Sequence, residues 1–409
     1  MTPETLRFAL EHADDDVHEL ALRGCHDPQV DLAAALQQIA GRQTARRKMP
    51  TWAATEGLLY PPHLNMEQCS SEHTAQYKAE VLAAYIGERP LSAATYVDLT
   101  GGLGVDFSFM AQGFGRALFV ERSETLCDLA RNNLPRLGLP QAEVRCAEAQ
   151  TCLDSLCDGH DAAHTIIYMD PARRDTAGRR TYAISDCTPD VLALLPRLLA
   201  SCQCLLLKLS PMLDWHKAVA DLQAAAPCHV DEVHVVEAGG ECKELLVLLT
   251  PGQSPQPLRV VCTEGNDRFT FLPADDGQPP IAPPETQHLP GKMLLVPGAA
   301  VMKGGGFGTL CRQMEVAQLA SNSHLMVADH LPPHWPGRAY RIRAVTTMNR
   351  QELRHQLHLC PTPDVSVRNF PLTAEKLHRR LGIKKSGGKD HVFATTLSSG
   401  MHILLWCCE

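Results

Sequence analysis

An acid, three glycines and a second acid are the first residues of this 409-residue chain whose spacing could do chemistry. In the run Y-V-D-L-T-G-G-L-G-V-D, from Tyr96 to Asp106, Asp98 stands inside an apolar stretch that ends at Thr100. Gly101, Gly102 and Gly104 follow at once, and a helical pattern opens at Val105, so the run predicts strand, glycine turn, helix. Glycines let the backbone approach a ligand closely, and the helix start behind them offers unpaired N–H groups. A second apolar run, Ala117 to Val120, ends in Glu121, whose carboxylate can accept two hydrogen bonds from a ribose. The spacing lacks the third glycine of a dinucleotide fingerprint, and Asp98 stands where a nicotinamide-dependent oxidoreductase carries an apolar residue, which disfavours that class. An acid in that place suits a ligand with an amine and a sulfonium, because both are cationic.

A second group of reactive residues follows the predicted strand His164 to Met169. It reads D-P-A-R-R-D, and Asp170 and Pro171 fall at the carboxyl end of a central strand, where ligands bind in open α/β sheets. Asp170 can accept from an amine. Arg173 and Arg174, with Arg179 and Arg180 beyond, suit phosphate or stacking through the guanidinium plane; a salt-bridged loop is the alternative. Lys208, Ser210 and Pro211, ending the run C-Q-C-L-L-L-K-L-S-P, could line a substrate cleft.

The elements that must position these residues follow a regular order. Helix is predicted over Arg122–Gly138, strand over Glu143–Cys146, helix over Asp190–Ala200, a buried strand after it, and helix over Trp215–Ala225. Val230–Glu237 and Glu244–Leu249 then flank A-G-G-E-C-K as a hairpin. Residues 1 to about 50 are helical in pattern and end in a basic cluster, Arg42, Arg46, Arg47 and Lys48, which either touches phosphate or marks an exposed helix end. Pro61 and Pro62 force a loop, and Ser70 or Ser71 caps a helix from Thr74 to Ile86.

Past Thr250 two proline-rich loops separate short strands (Leu258–Cys262, Phe269–Leu272, Met293–Val296) and a helix from Thr309 to Leu319, the makings of an α+β sandwich. The Gly304–Gly306 run, placed after a strand, lacks the G-K-[ST] ending of a phosphate loop and is expected to be a turn. From Tyr340 onward, strands and helices alternate with basic residues, and Arg368, Asn369, Lys384, Lys385 and Lys389 fall on loops where phosphate contacts are easy.

The D-L-T-G-G-L-G-V-D run resembles the first motif of class I S-adenosylmethionine-dependent methyltransferases, and Glu121 resembles their second. The resemblance implies a Rossmann-like α/β fold with a seven-stranded sheet. It also implies that Asp98 and the turn of Gly101, Gly102 and Gly104 hold the methionine end of S-adenosyl-L-methionine, with Glu121 at the ribose hydroxyls and Glu148 beside the adenine, and that Thr100, Asp106 and Arg122 also belong to the cofactor site. For Glu148 a solvated helix cap is the competing reading. In enzymes of this class that act on RNA, the segment before the first strand folds over the cofactor, which makes Glu67, Gln68, Ser70, Ser71, Thr74 and Tyr77 candidates for a lid. The class's amino-methylating motif is an acid or amide, two prolines and an aromatic. Here Ala172 and Arg173 replace the third and fourth positions, so the stacking ring is missing while Asp170, Pro171 and Arg173 keep the catalytic place.

The whole chain resembles bacterial methyltransferases with a ferredoxin-like and a THUMP-like domain. It implies a helical cap and lid (1–75), a methyltransferase domain (76–252), a ferredoxin-like α+β domain (253–338) and a basic THUMP-like domain (339–409). THUMP domains in related enzymes help capture RNA, so a tRNA or rRNA substrate is implied, with Arg174, Lys208, Lys384 and Lys385 as substrate contacts. The departure at D-P-A-R-R keeps a second class open, an RNA-binding protein on the same scaffold that transfers nothing.

Composition is consistent with this. The net charge of −8 hides twelve Lys or Arg against five Asp or Glu from Gly337 onward, so a module of charge +7 follows a body of charge −15. A solvated charged face would give the same count. None of the sixteen cysteines forms a C-x-x-C pair, and Cys127, Cys204 and Cys262 lie in apolar runs, which predicts reduced core thiols rather than zinc ligands or disulfides. Methyl transfer from a sulfonium needs no metal. No apolar run reaches membrane-spanning length and the first residues are not a signal peptide, so a soluble cytoplasmic protein is expected.

Overall fold

The computed structural model describes residues 1–157, 161–173, 184–283, 285–383, 387 and 389–408. The chain divides into two compact units, Met1–Val230 with Val247–Ser254, and Asp231–Leu246 with Pro255–Glu409.

The first unit opens with helices Pro3–Glu11, Val17–Arg23, Leu32–Lys48 and Pro50–Ala54. Their basic cluster is spent largely inside the chain: Arg42 donates to the Ala53 carbonyl, Arg46 pairs with Asp14, and Lys48 donates to the carbonyls of Met66 and Glu67 at 2.9 and 2.6 Å. Lys48 thereby satisfies carbonyls at the end of the helix His63–Gln68. The helix Glu72–Ile86 begins where Ser71 accepts from the Thr74 N–H and stops at Gly87, whose φ of 64° suits a glycine. Met49, Trp52, Tyr60, Met66 and Ala75 bury against Leu103 and Val105 of the glycine turn. The Trp52 indole N–H, deep in that cluster, donates to Ser108 at 3.0 Å.

Strand β1 (Thr95–Asp98) lies between β2 (Arg116–Glu121) and β4 (Thr165–Met169), parallel to both. β3 (Ala142–Cys146) pairs with β2, and the strand Cys204–Leu209 pairs with β4. The hairpin Cys228–Ala238 and Glu241–Pro251 supplies the sixth and seventh strands, its second strand next to Cys204–Leu209, and two further strands bring the sheet to nine in place of the expected seven. The order of these first seven is that expected of the Rossmann-like methyltransferase fold. The chain runs outward in both directions from β1, so the carboxyl ends of β1 and β4 flank the topological switch point where such sheets bind ligands. β4 is buried along its whole length, as its T-I-I-Y-M text requires of a central parallel strand.

In the second unit, Arg259–Glu264 pairs in parallel with the outer half of the hairpin's first strand, and Asp267–Phe271 pairs antiparallel with it in turn. These two strands were expected to join the later α+β elements. They extend the hairpin's sheet instead, and the apolar face formed by Val260, Cys262 and Phe271 is covered by the later helices: Gly304 lies against Val260 and Cys262, and Gly306 against Phe271. A separate sheet runs in the order Ala317–Gln318, Met326–Ala328, Met293–Pro297, Gly337–Thr346, His402–Cys408, Asp390–Thr396, Asp364–Arg368. The Gly304–Gly306 run is a turn, but it follows a helix, Ala299–Gly304, rather than a strand. Gly305 and Gly306, at φ of 91° and 80°, separate that helix from Phe307–Met314.

Cys127, Cys204 and Cys262 are buried free thiols. Among the described residues no helix is long and apolar enough to cross a membrane, and no cluster of His, Cys, Asp and Glu could hold a metal ion.

Candidate functional site

Asp98 closes β1 with 1% of its surface exposed. Its Oδ1 accepts from the Thr100 N–H at 2.8 Å. Burial pushes its carboxyl well above the usual 3.8, the neighbouring Asp106 and Asp170 push the same way, and the Thr100 hydrogen bonds only partly offset this. Among the described residues no lysine or arginine pairs with Asp98 to balance the charge that it would carry when ionised.

The glycines beside it have separate reasons to be glycine. A Cβ on Gly101 would lie 2.3 Å from the Phe119 ring, so the turn can press against β2 only without a side chain. Gly102, at φ of 56°, would bring a Cβ against only the Thr100 carbonyl, at 3.8 Å, and Gly104, at φ of 89°, starts the helix Val105–Met110 from a left-handed conformation. The Gly102 N–H donates to Glu121 Oε2 at 2.9 Å, and Glu121 Oε1 accepts from the Ser123 N–H at 2.8 Å. The second acid is therefore tied to the turn and held at the tip of β2.

Asp106, just past the turn, is served differently. Its Oδ2 accepts from Ser70 and from the Tyr168 hydroxyl, both at 2.8 Å, while Lys78, fully buried, lies 3.1 Å from its Oδ1. Burial raises its carboxyl, but Lys78, Lys208, Tyr168 and Ser70 together more than reverse this and hold it below the usual value. Asp170 begins the segment after β4. Its N–H donates to Thr100 Oγ1 at 2.6 Å, which ties the ends of β1 and β4 together, and its Oδ2 accepts from Lys208 Nζ at 2.6 Å.

Asp98, Thr100, Gly101, Gly102, Gly104, Asp106 and Asp170 line one cavity, whose other walls include Asn65, Gln68, Cys69, Ser70 and Tyr168. Glu121 and Lys208 reach it through Gly102 and Asp170. Arg122 and Glu148 are exposed and do not line it. Thr74 is buried and donates its hydroxyl to the Ser71 carbonyl at 3.1 Å, turned into its own helix start. Pro171 is buried behind Asp170, and the Arg173 backbone pairs with Cys187. The Arg173 side chain, Arg174, Lys384 and Lys385 lie outside the described residues.

Two residues that contact Asp106 carry almost no signal in the sequence. Lys78 reads as one polar position of an amphipathic helix. Tyr168 reads as strand core; its place two residues before Asp170 was the available hint, since its hydroxyl needs a polar partner at depth.

Strand order and glycine turn together define the Rossmann-like fold of class I methyltransferases. Residues 294–336 match a ferredoxin-like domain family model, and residues 337–409 match one described as THUMP domain-like. A crystal structure from Porphyromonas gingivalis W83, provisionally described as a methyltransferase, matches with a TM-score of 0.80 at 29% identity, over 98% of this chain and 96% of that one. More distant is a provisional RNA methyltransferase from Pyrococcus horikoshii, with a TM-score of 0.36 at 12% identity over 51% of this chain and 99% of that one. An O-methyltransferase from Bacillus cereus in complex with SAH scores 0.34 at 15% identity, over 51% of this chain and 90% of that one. No curated protein matches the sequence. The chain thus combines a class I methyltransferase fold with ferredoxin-like and THUMP-like domains.

Proposed function

We propose that this protein is an S-adenosyl-L-methionine-dependent methyltransferase that acts on RNA, a tRNA or an rRNA. One observation carries the reading: a carboxylate buried at the switch point, beside a turn of glycines and lining a cavity, with no cation among the described residues paired to balance it. The residues fit the cofactor. Asp98 would meet the cationic methionine end, Gly102, which lines the cavity without a side chain, would admit the ligand against the backbone, and Glu121 would take the ribose hydroxyls with its remaining lone pairs. The cofactor, when bound, supplies a methyl group already activated by its sulfonium. The chain's task is to hold the acceptor in line, which is where positioning supplies most of the rate.

The full-length match to a structure provisionally described as a methyltransferase supports the reaction class. The THUMP-like match and the +7 charge of the last 73 residues support RNA as the partner. Calorimetry with S-adenosyl-L-methionine and its demethylated product tests the first part, and absence of binding to either would sink it. Tritiated methyl transfer to total RNA from a strain lacking the protein tests the second.

A second reading has an observation behind it. Lys208 occupies one oxygen of Asp170, an acceptor that an incoming amine would need. An RNA-binding protein on this scaffold that binds the cofactor without transfer would show calorimetric binding and no labelled RNA.

A further inference from the structure

Taking the methyltransferase reading as given, we propose that the atom receiving the methyl group is a hydroxyl oxygen, the ribose 2′-hydroxyl of RNA, and that Lys208 and Asp170 together activate it. In the parallel pairing of β4 with Cys204–Leu209, Met169 stands opposite Leu207. Asp170 and Lys208 are the next residues of each strand, so the register brings an acid and an amine side by side at the carboxyl ends. Leu207 and Leu209 are buried, and Lys208 interrupts an otherwise apolar strand.

A structural explanation for Lys208 would make it the counter-ion of Asp106, but that carboxylate already holds Lys78 at 3.1 Å and two hydroxyls at 2.8 Å, while Lys208 stands off at 3.9 Å. Its close partner is Asp170 at 2.6 Å, whose side chain keeps 38% of its surface exposed and lines the same cavity as Asp98.

The two kinds of acceptor ask opposite things of such a pair. An exocyclic base amine arrives as a donor of two hydrogens and needs acceptors, and an ammonium held on the carboxylate opposes it. A hydroxyl donates one hydrogen and accepts another, so it can donate to Asp170 and accept from Lys208. It is also the poorer nucleophile and gains more from a base and a cation. The hydroxyl oxygen forms its bond to the methyl carbon of a methylsulfonium donor while the carbon–sulfur bond breaks, its electron pair leaving on sulfur. The hydroxyl proton passes to the Asp170 carboxylate and from there to water, and the Lys208 ammonium donates to the oxygen as negative charge develops. In an unmodified RNA chain the hydroxyls are those of ribose. The missing aromatic at D-P-A-R follows, since no base need be stacked for its own amine to react.

The test is the chemistry of the product. RNA from cells with and without the protein is digested with alkali and with nuclease, and the nucleosides are separated by mass. A 2′-O-methylated nucleoside in an alkali-resistant dinucleotide, present only with the protein, is the expected result. Lys208→Met should lower kcat about 100-fold or more with little change in KM or in cofactor binding by calorimetry, and Lys208→Arg should recover part of the loss. A methyl group on a base nitrogen or carbon, or cofactor binding with no protein-dependent 2′-O-methylation, overturns the assignment to oxygen and leaves the cofactor site standing. Failure of the wild-type protein to bind the cofactor overturns the underlying function first.

Discussion

Asp98 and Asp106 stand at opposite ends of one glycine turn and line one cavity, yet their surroundings set them opposite tasks. Asp106 is balanced in charge within the chain, with Lys78 and Lys208 nearby and two hydroxyls on Oδ2, although its buried Oδ1 accepts no hydrogen bond from the described residues. Asp98 is deeper and has one backbone N–H, a neighbouring hydroxyl and two other acids for company. An ionised carboxylate in such a place is costly unless something positive joins it. On the proposed reading the difference separates an acid that builds the site from one that receives a ligand: Asp106 ties Ser70 and Lys78 to the turn, and Asp98 is left for the cationic end of the cofactor.

The largest effect that could break this comparison is on stability. Lys78→Met should cost about 3–5 kcal/mol in urea denaturation, because it strands part of a buried ion pair. A loss under about 1 kcal/mol would mean that Asp106 does not depend on it. Next is Asp98→Ala, which should weaken S-adenosyl-L-methionine about 100-fold by calorimetry. An unchanged affinity would return Asp98 to a purely structural role.

The two acids should also answer pH with opposite signs. Asp98 has a native pKa above its ordinary 3.8, so the folded state binds the proton more tightly; its contribution is most favourable below 3.8 and is lost as pH rises toward the raised value. Asp106 has a lowered pKa, so its contribution is present above 3.8 and is lost as pH falls through the lowered value. Urea denaturation of Asp98→Asn from about pH 4 to about pH 8 should therefore show the variant gaining on the wild type as pH rises. A constant difference would place Asp98 in a less buried setting than the one described. The smallest effect is Glu121→Gln, which should cost about tenfold in cofactor affinity through weaker acceptance from the ribose.

Much of the sheet was legible because its signals are local. Asp98, the glycines and Glu121 lie within 24 residues, and each strand and helix carries its own periodicity and cap. What escaped was long-range pairing. Nothing near Lys78 in the sequence says that its ammonium meets Asp106 after the chain has folded back over the turn. Thr74 looked like a lid residue for the reason that it is a good first-turn residue, and the structure spends its hydroxyl on that turn. The strands Arg259–Glu264 and Asp267–Phe271 were visible as strands, but their partner was not, since proline-rich text on either side reads as a boundary whichever sheet they join.

The seam between the two family matches, at Pro336 and Gly337, is not a place where the molecule can be parted. Met293–Pro297, on one side of it, zips along Gly337–Arg341 on the other, and Leu294 shares a core with Tyr340, Ile342 and Leu405. Scissors applied there would leave two fragments with raw, adhesive borders. The two matched regions are therefore halves of one sheet and one core, each needing the other to cover its strands.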